Sequence, residues 1–380
     1  TGVASTEYSL DNGSSWTPGT TVSILASSGD GTKTILYRSS DNAGNVETTR
    51  STHVTIDTTA PVGNPTDPGN VLHGTVQLTA SPTDPDTASV EFLYRPVGGA
   101  GQYTSIGLDT TAPYELPWIT NAVADGDYDV QIRVKDSAGN ESTQQLSPKT
   151  IDNSGPDSAS VTSPGANADL GGTISLAAIA HDGTSGIGAV AFQVKATGSA
   201  IFVTVDADTS APYTGSWNSA GTPDGPAEVR VAVTDVAGNG PFYSAPIAFV
   251  VDNTAPTVSV SAPGNVSGTA AVSATGSADI ASVQFAVSPH GAGSWTALGT
   301  DSSAPFEASW PTAALADGLY DVRATAVDGG SNQGSDTKTV RVDNTAPTGA
   351  MLQPSAGDTV GGPSASLDAT AVDSGSGVAT

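Results

Sequence analysis

A short phrase that begins with aspartate and ends with proline recurs four times in the chain at nearly constant spacing. Its copies start at residues 57, 152, 252 and 343, so they are 95, 100 and 91 residues apart. A fixed period of this kind indicates a tandem array. Units of this length are long enough to close a core of their own. The sequence therefore predicts a row of small domains. The copies are Asp57-Thr-Thr-Ala-Pro61, Asp152-Asn-Ser-Gly-Pro156, Asp252-Asn-Thr-Ala-Pro256 and Asp343-Asn-Thr-Ala-Pro347.

The chain is strongly acidic and contains no cysteine. It has 38 Asp and Glu against 12 Lys and Arg, which gives a formal charge of −26. This charge argues against nucleic acid and anionic membranes as partners, because both attract positive proteins. Without cysteine there are no disulfides and no thiolate metal sites. No stretch of 18 apolar residues is present to span a bilayer. The acidity is consistent either with solubility alone or with cation binding.

Period-2 alternation of apolar and polar residues predicts half-buried antiparallel strands, for example over 128–134 and 320–326. No segment has a convincing helical period with caps. Each full unit has a second Asp-Pro phrase followed by a tryptophan, which we expect to pack in the core. About seven short strands per unit, separated by turns, are typical of an immunoglobulin-like sandwich. The predicted fold class is all-β: a tandem array of immunoglobulin-like β-sandwich domains, an extended rod with almost no helix.

The order of motifs within each unit also carries a resemblance. The second Asp-Pro phrase is followed by Trp, by Asp-Gly before a long strand, by Asp-x-Ala-Gly-Asn, and by the next linker phrase. This run resembles the tandem bacterial Ig-like domains of large secreted and cell-surface proteins, over residues 58–343. Residues 7–16 resemble a related Ig-like variant. The resemblance implies an extracellular or cell-surface location.

The repeats define the predicted domain boundaries. We expect three whole domains and two partial ones that carry the C-terminal and the N-terminal strands of a sandwich, and hence a window from a longer chain. The predicted ranges are 1–57 (partial), 58–152, 153–252, 253–343 and 344–380 (partial).

Aspartates occur in every turn that alternating strands would bring to the N-terminal end of a domain. Several carboxylates at one end would repel each other unless a cation compensates them. Ca²⁺ suits this role because it takes six to eight oxygen ligands in flexible geometry. The alternative is that each Asp only stabilises its own turn. The candidate calcium ligands are Asp57, Asp84 or Asp86, Asp109 and Asp136; Asp152, Asp182, Asp208 and Asp235; Asp252, Asp279, Asp301 and Asp328; and Asp343 and Asp373.

Other chemistry is sparse. The four histidines fall at non-equivalent positions, and no nucleophile motif or phosphate loop is present. We therefore expect no enzyme activity and no catalytic residues. The predicted function is a structural or adhesive stalk or filament segment of a large extracellular bacterial protein, rigidified by interdomain calcium. The alternative is a set of glycan-binding or tethering modules of a secreted enzyme.

The expected partners follow from this function. They are the neighbouring Ig-like domains of the same longer chain, with filament subunits and host or glycan ligands as further candidates. Nucleic acid is not expected, and neither is a membrane span within this sequence.

The short linkers predict an extended array in solution. Only about five residues separate the last strand of one unit from the first of the next, and proline restricts them to extended conformations. A domain with strands of this length is roughly 35–40 Å long, so four domain equivalents should reach roughly 150 Å. Small-angle X-ray scattering measures this dimension, and the scattering of a compact globule would contradict the prediction.

Overall fold

The computed structural model describes residues 2–364 and 366–378, and these residues are almost entirely strands and turns. The helical segments among them are two short 3₁₀ turns, Ala26–Ser28 and Thr120–Ala122. The prediction of an all-β immunoglobulin-like fold is confirmed. Within the described ranges, no helix has the length and hydrophobicity needed to cross a membrane.

The chain divides into two compact units. Unit 1 comprises residues 1–158, 180–189 and 233–242. Unit 2 comprises residues 159–179, 190–232 and 243–380.

The strands up to residue 151 belong to unit 1 and form three sheets. Their sheet orders are β2-β1-β3-β4, then β6-β9, then β5-β12-β10-β7-β8 with β11 also paired to β10. The strands are β1 (Val3–Ser9), β2 (Thr17–Pro18), β3 (Gly31–Asp41), β4 (Arg50–Ile56), β5 (Val71–Leu72), β6 (Thr75–Ala80), β7 (Thr87–Pro96), β8 (Thr104–Asp109), β9 (Tyr114–Ile119), β10 (Gly126–Asp136), β11 (Glu141–Gln145) and β12 (Lys149–Ile151).

Period-2 alternation explains why the β6-β9 sheet and the β10-β7 sheet face each other. Along β10, alternate side chains point inward, and Val130, Ile132 and Val134 are all 0% exposed. They pack in one cluster with Trp118 from β9 and Phe92 from β7. Residues from both sheets share this core, which defines a β-sandwich.

The strands from residue 158 onward form the sheets β13-β15-β18, β14-β21-β19-β16-β17 with β20 also paired to β19, β22-β24-β27, β23-β29-β28-β25-β26, and β30-β31. The strands are β13 (Ser158–Ser163), β14 (Asp169–Leu170), β15 (Thr173–His181), β16 (Ile187–Lys195), β17 (Val203–Asp208), β18 (Tyr213–Asn218), β19 (Gly225–Asp235), β20 (Phe242–Tyr243), β21 (Ile247–Val251), β22 (Val258–Ser261), β23 (Asn265–Val266), β24 (Thr269–Gly276), β25 (Ile280–Pro289), β26 (Thr296–Asp301), β27 (Phe306–Pro311), β28 (Gly318–Asp328), β29 (Gln333–Val342), β30 (Thr348–Gln353) and β31 (Asp368–Val372).

The repeated tryptophans lie where the sequence predicted them. Trp118 is 3% exposed and Trp310 is 1% exposed, each within the core cluster of its own repeat. Trp217 is half-buried and meets Phe249 edge to face, with 6.2 Å between ring centroids. No described strand crosses residues 57–58, 152–153, 252–253 or 343–344. The domain boundaries themselves stay a prediction.

A core substitution in one repeat is expected to lower the stability of that repeat. Phe92→Ala removes a ring that is 1% exposed, and cavities of this kind cost about 3–5 kcal/mol. Leu108→Ala is the matched control because Leu108 is 58% exposed, and such changes usually stay within about 0.5 kcal/mol. Scanning calorimetry should show one transition shifted downward in F92A only. Equal shifts in both variants would contradict the assigned core.

Candidate metal sites at the linkers

Three groups of aspartates come together, each at the start of a repeat. In each group one carboxylate oxygen from every member lies within 4.8 Å of the others. Calcium binds oxygen at about 2.3–2.6 Å, so ligands on opposite sides of one ion are about 5 Å apart. The spacing therefore fits a single Ca²⁺. The groups are Asp57, Asp86 and Asp136 (site 1); Asp152, Asp182 and Asp235 (site 2); and Asp252, Asp279 and Asp328 (site 3).

Each group contains one aspartate from the turn after the longest strand, and this aspartate has the same surroundings in all three groups. Asp136 is the last residue of β10, and its carboxylate accepts hydrogen bonds from the backbone N–H groups of Gly139 (2.7 Å) and Asn140 (2.8 Å). Asp235 and Asp328 end the equivalent strands and accept the same bond from Asn239 and Asn332, each at 2.8 Å. All three aspartates are at most 3% exposed. The turn thus holds a buried carboxylate at the end of the longest strand.

The asparagine of this turn connects the turn to the linker, a role that the sequence analysis did not assign. Asn239 Nδ2 donates to the carboxylate of Asp235 (2.8 Å) and to the backbone carbonyl of Asp152 (3.0 Å). Asn332 Nδ2 does the same with Asp328 (3.1 Å) and with the carbonyl of Asp252 (2.9 Å). In site 1, Asn140 makes the corresponding pair of bonds. The recurrence of Asn at this position was a signal that could have revealed the contact.

A second asparagine holds the linker to the preceding repeat. Asn153 directly follows the linker aspartate, and its Oδ1 accepts from Gly74 N (3.0 Å) and from Thr120 Oγ1 (2.8 Å). Its own N–H donates to the carboxylate of Asp125 at 2.8 Å. The equivalent Asn253 and Asn344 make the same kinds of bonds. The Asp of the Asp-Gly pair is therefore a linker cap as well as a turn residue.

Three predicted ligands, those of the second Asp-Pro phrase, lie outside the groups. Asp109 accepts from the backbone N–H groups of Thr111 (3.0 Å) and Glu115 (2.9 Å). These bonds lower the pKa of Asp109. Asp208 and Asp301 have the same two bonds and the same lowered pKa. Each carboxylate caps its own turn, which was the alternative interpretation for these positions.

Between Asp84 and Asp86, which the sequence left open, the structure places Asp86 in site 1. Asp84 lies beside it and accepts a hydrogen bond from the backbone N–H of Asp86 at 3.3 Å. The neighbouring Asp84, burial, and the charges of Asp57 and Asp136 raise the pKa of Asp86 to about 6. One oxygen of Asp86, Oδ1, is buried without a hydrogen-bond partner among the described residues.

Burial and nearby negative charges also raise a pKa in site 3. Burial raises the pKa of Asp252, and the nearby carboxylates of Asp328, Asp224 and Asp279 add to the effect. Asp136 in site 1 shows the opposite balance. Burial raises its pKa, but hydrogen bonds from Asn140 and Gly139 more than offset this, so that its pKa is lowered. In site 3, the carboxylate of Asp252 is therefore still repelled by the carboxylates around it.

The last repeat contains a two-carboxylate version of the arrangement. Asp343 is 8% exposed, and its carboxylate accepts from Ser376 N at 2.6 Å. Hydrogen bonds from the side chain and the backbone of Ser376 lower the pKa of Asp343. Asp373 accepts from Gly375 N at 2.6 Å. Both predicted residues are thus next to the same turn. Among the described residues no third carboxylate completes a group there.

A family model described as "Bacterial Ig domain" matches residues 55–132, 158–231 and 256–324, which is more than half of the chain. A second model, "Bacterial Ig-like domain (group 3)", matches residues 211–289. The chain belongs to the bacterial Ig domain family. The modules of this class are typically non-catalytic, and the prediction that the chain is not an enzyme is confirmed at this level.

Similar proteins include an enzyme and two modular structures. Chitinase A1 of Niallia circulans is 33% identical over 175 residues, which is 44% of this chain and 24% of the chitinase. The chain thus spans about a quarter of the length of that relative. The fibronectin(III)-like modules of Clostridium thermocellum CbhA are 23% identical, with a TM-score of 0.34 over 49% of this chain and 94% of theirs. A tetra-tandem repeat from the extending region of a large adhesion protein is 19% identical, with a TM-score of 0.29 over 90% of this chain and 92% of its own.

The raised pKa of Asp86 predicts a pH dependence of stability in calcium-free protein. The unfolded chain releases this proton near 3.8, whereas the folded chain holds it to about 6. Protonation of Asp86 therefore stabilises the fold at low pH, and this stabilisation is lost as the pH rises through about 6. Asp86→Asn should accordingly melt higher than the parent chain at pH 7.5 and equally at pH 4.

Thermal melts in a chelator at both pH values measure this difference. Glu115→Gln removes an exposed charge from the same repeat and serves as the control. A pH-independent difference between D86N and the parent would contradict the prediction.

Proposed function

We propose that the chain is a non-enzymatic stalk segment of an extracellular bacterial protein and that calcium stiffens its joints. The observation that supports this most is the placement of the linker aspartates. The side chain of Asp252 lies with Asp279 and Asp328 of the following repeat. The next residue, Asn253, is bonded to the preceding repeat. An ion at site 3 would therefore fix the linker from both sides.

The chemistry of the sites suits calcium better than a soft metal. All three members of each group are carboxylates, which are hard oxygen ligands, and each can bind through one or two oxygens. Three negative charges would balance the two charges of the ion and leave one in excess. Backbone carbonyls of the linker lie next to the same turn, as the bonds from Asn239 and Asn332 show. The donor set and its spacing therefore suit a hard divalent cation.

Stiff joints would serve a protein that must hold another part away from a surface. Extracellular calcium modules bind at about 10⁻⁴–10⁻³ M. A chain with this affinity would be rigid where calcium is plentiful and looser where it is scarce. An adhesive or filament role is compatible with this behaviour, because both require that length be kept under load.

Loss of two ligands from site 3 should abolish calcium binding there. In the 380-residue chain, Asp252→Ala with Asp328→Ala should remove one of the binding events seen by isothermal titration calorimetry. Asp301→Ala is the matched control, since this aspartate of the same repeat caps its own turn outside the group. An unchanged titration in the double variant would refute the site.

A second candidate function is glycan binding, and one recurring surface feature favours it. An arginine stacks on a partly exposed aromatic ring in each of four repeats, with 3.9–4.4 Å between the guanidinium carbon and the ring centroid. Partly exposed aromatic rings can pack against sugars, although the guanidinium already covers one face. The pairs are Arg38 with Trp16, Arg95 with Tyr103, Arg230 with Phe202, and Arg323 with Trp295.

The similarity to a chitinase makes chitin the first polysaccharide to test. If the aromatic rings bind it, the chain should pellet with insoluble chitin, and Trp16→Ala with Trp295→Ala should weaken this by several fold. Buried Trp310 is not a useful control because its loss would damage the core. Leu108→Ala, which changes an exposed apolar side chain, is suitable. No retention of the parent chain would remove chitin binding from consideration.

A further inference from the structure

Site 3 has an acidic neighbour, contributed by the preceding repeat, that site 2 lacks. Asp169 lies on β14, a short strand of the preceding repeat that pairs in parallel with β21, the strand leading into the linker. The equivalent strands β5 and β23 carry Val71 and Asn265 at this position, as their parallel pairing shows. A carboxylate therefore occurs here in only one of the three whole repeats.

The side chain of Asp169 reaches the turn that contains Asp328. A Cβ atom added to Gly329 would lie 2.8 Å from Asp169 Oδ2, so only a residue without a side chain allows this approach. Next to it, a Cβ at Gly330 would lie 2.9 Å from the backbone carbonyl oxygen of Asp252. The two glycines thus open one side of site 3 to the preceding repeat.

The carboxylate of Asp169 is poorly compensated in this position. Its Oδ1 atom is buried and has no hydrogen-bond partner among the described residues. Burial raises its pKa, and the charges of Asp252, Asp328 and Asp279 raise it further. A buried carboxylate oxygen without a donor is costly. A cation at site 3 would supply the missing partner.

We propose that Asp169 is an additional calcium-binding carboxylate of site 3, contributed from the opposite side of the linker, and that it makes site 3 tighter than site 2, where Val71 takes its place. This rests on the proposed calcium function. Asp169 lies close to the three grouped aspartates, although outside the 4.8 Å that joins them, so it would bind on the side of the ion that faces the preceding repeat. Calcium affinity rises with the number of charged ligands. The joint between the third and fourth repeats then stiffens at a lower calcium concentration than the joint between the second and third.

The structure provides a conservative variant for the test. Asp169→Asn keeps the shape of the side chain, and Asn already occupies the equivalent position in the next repeat as Asn265. Glu307→Gln removes one charge from an exposed position of the fourth repeat and is the matched control. Calcium-free thermal melts of both variants verify that they fold.

The experiment is calcium titration of the whole chain by isothermal calorimetry, with the parent, D169N, E307Q and the D252A/D328A double variant. We expect a tight phase in the parent that is absent from the double variant, which assigns it to site 3. D169N should weaken this phase about tenfold or more and leave the weaker phases unchanged. E307Q should titrate like the parent.

The outcomes separate this inference from the proposed function. A tight phase that D169N leaves unchanged would overturn the role of Asp169, while calcium binding at the joints would stand. Uniform weak binding at all sites of the parent would also overturn it. A parent chain that binds no calcium would overturn the proposed function together with the inference that rests on it.

Discussion

The joints depend on one arrangement, in which a linker of a few residues is bonded to the repeat on either side of it. The asparagines after Asp152 and Asp252, Asn153 and Asn253, are held by backbone and side-chain groups of the preceding repeat. The linker carbonyl is held by the asparagine of a turn in the following repeat. With its backbone fixed at both ends, the linker can present its carboxylate at only one place. That place is next to two other carboxylates.

The aspartate carboxylates that this arrangement brings together repel each other, and the fold alone does not remove this repulsion. Turn amides satisfy the carboxylates at the ends of the long strands, those of Asp136, Asp235 and Asp328. In site 1, Asp84 and burial raise the pKa of Asp86, and in site 3, burial and nearby negative charge raise the pKa of Asp252. A divalent cation or a proton would relieve the repulsion at the same point. The stability of the joints should therefore depend on both calcium and pH.

Much of the fold could be predicted because it repeats. Alternation along 128–134, the recurring tryptophans and the turn phrases all recur at one period, and the core of each repeat follows from them. The sequence also predicted that aspartates from the linker and from turns of the following repeat would come together. Asp109 was predicted as well, but its carboxylate lies outside site 1 and is bonded by the amides of its own turn. Sequence position alone does not distinguish an aspartate that caps its own turn from one that joins a group of carboxylates.

Contacts that do not repeat were beyond the sequence analysis. Asp169 has Val71 and Asn265 at the equivalent positions, so a comparison of repeats passes over it. Its proximity to site 3 follows from the parallel pairing of β14 with β21 and from the close approach that Gly329 allows. The asparagines of the linker and the turn did repeat. Their role was missed because an asparagine that binds across a joint has the same local sequence as one that only forms a turn.

The central claim is that a cation at the linker restricts motion between repeats, and a distance measurement tests it most directly. The chain has no cysteine, so spin labels can be attached at Thr209→Cys and Ser302→Cys, two exposed positions in the third and fourth repeats. Double electron–electron resonance then gives the distribution of distances across the joint. The account predicts a broad distribution in chelator, a narrow one in calcium, and a broad one in both conditions when Asp252 and Asp328 are replaced by alanine. A distribution that calcium leaves unchanged in the parent chain would contradict it.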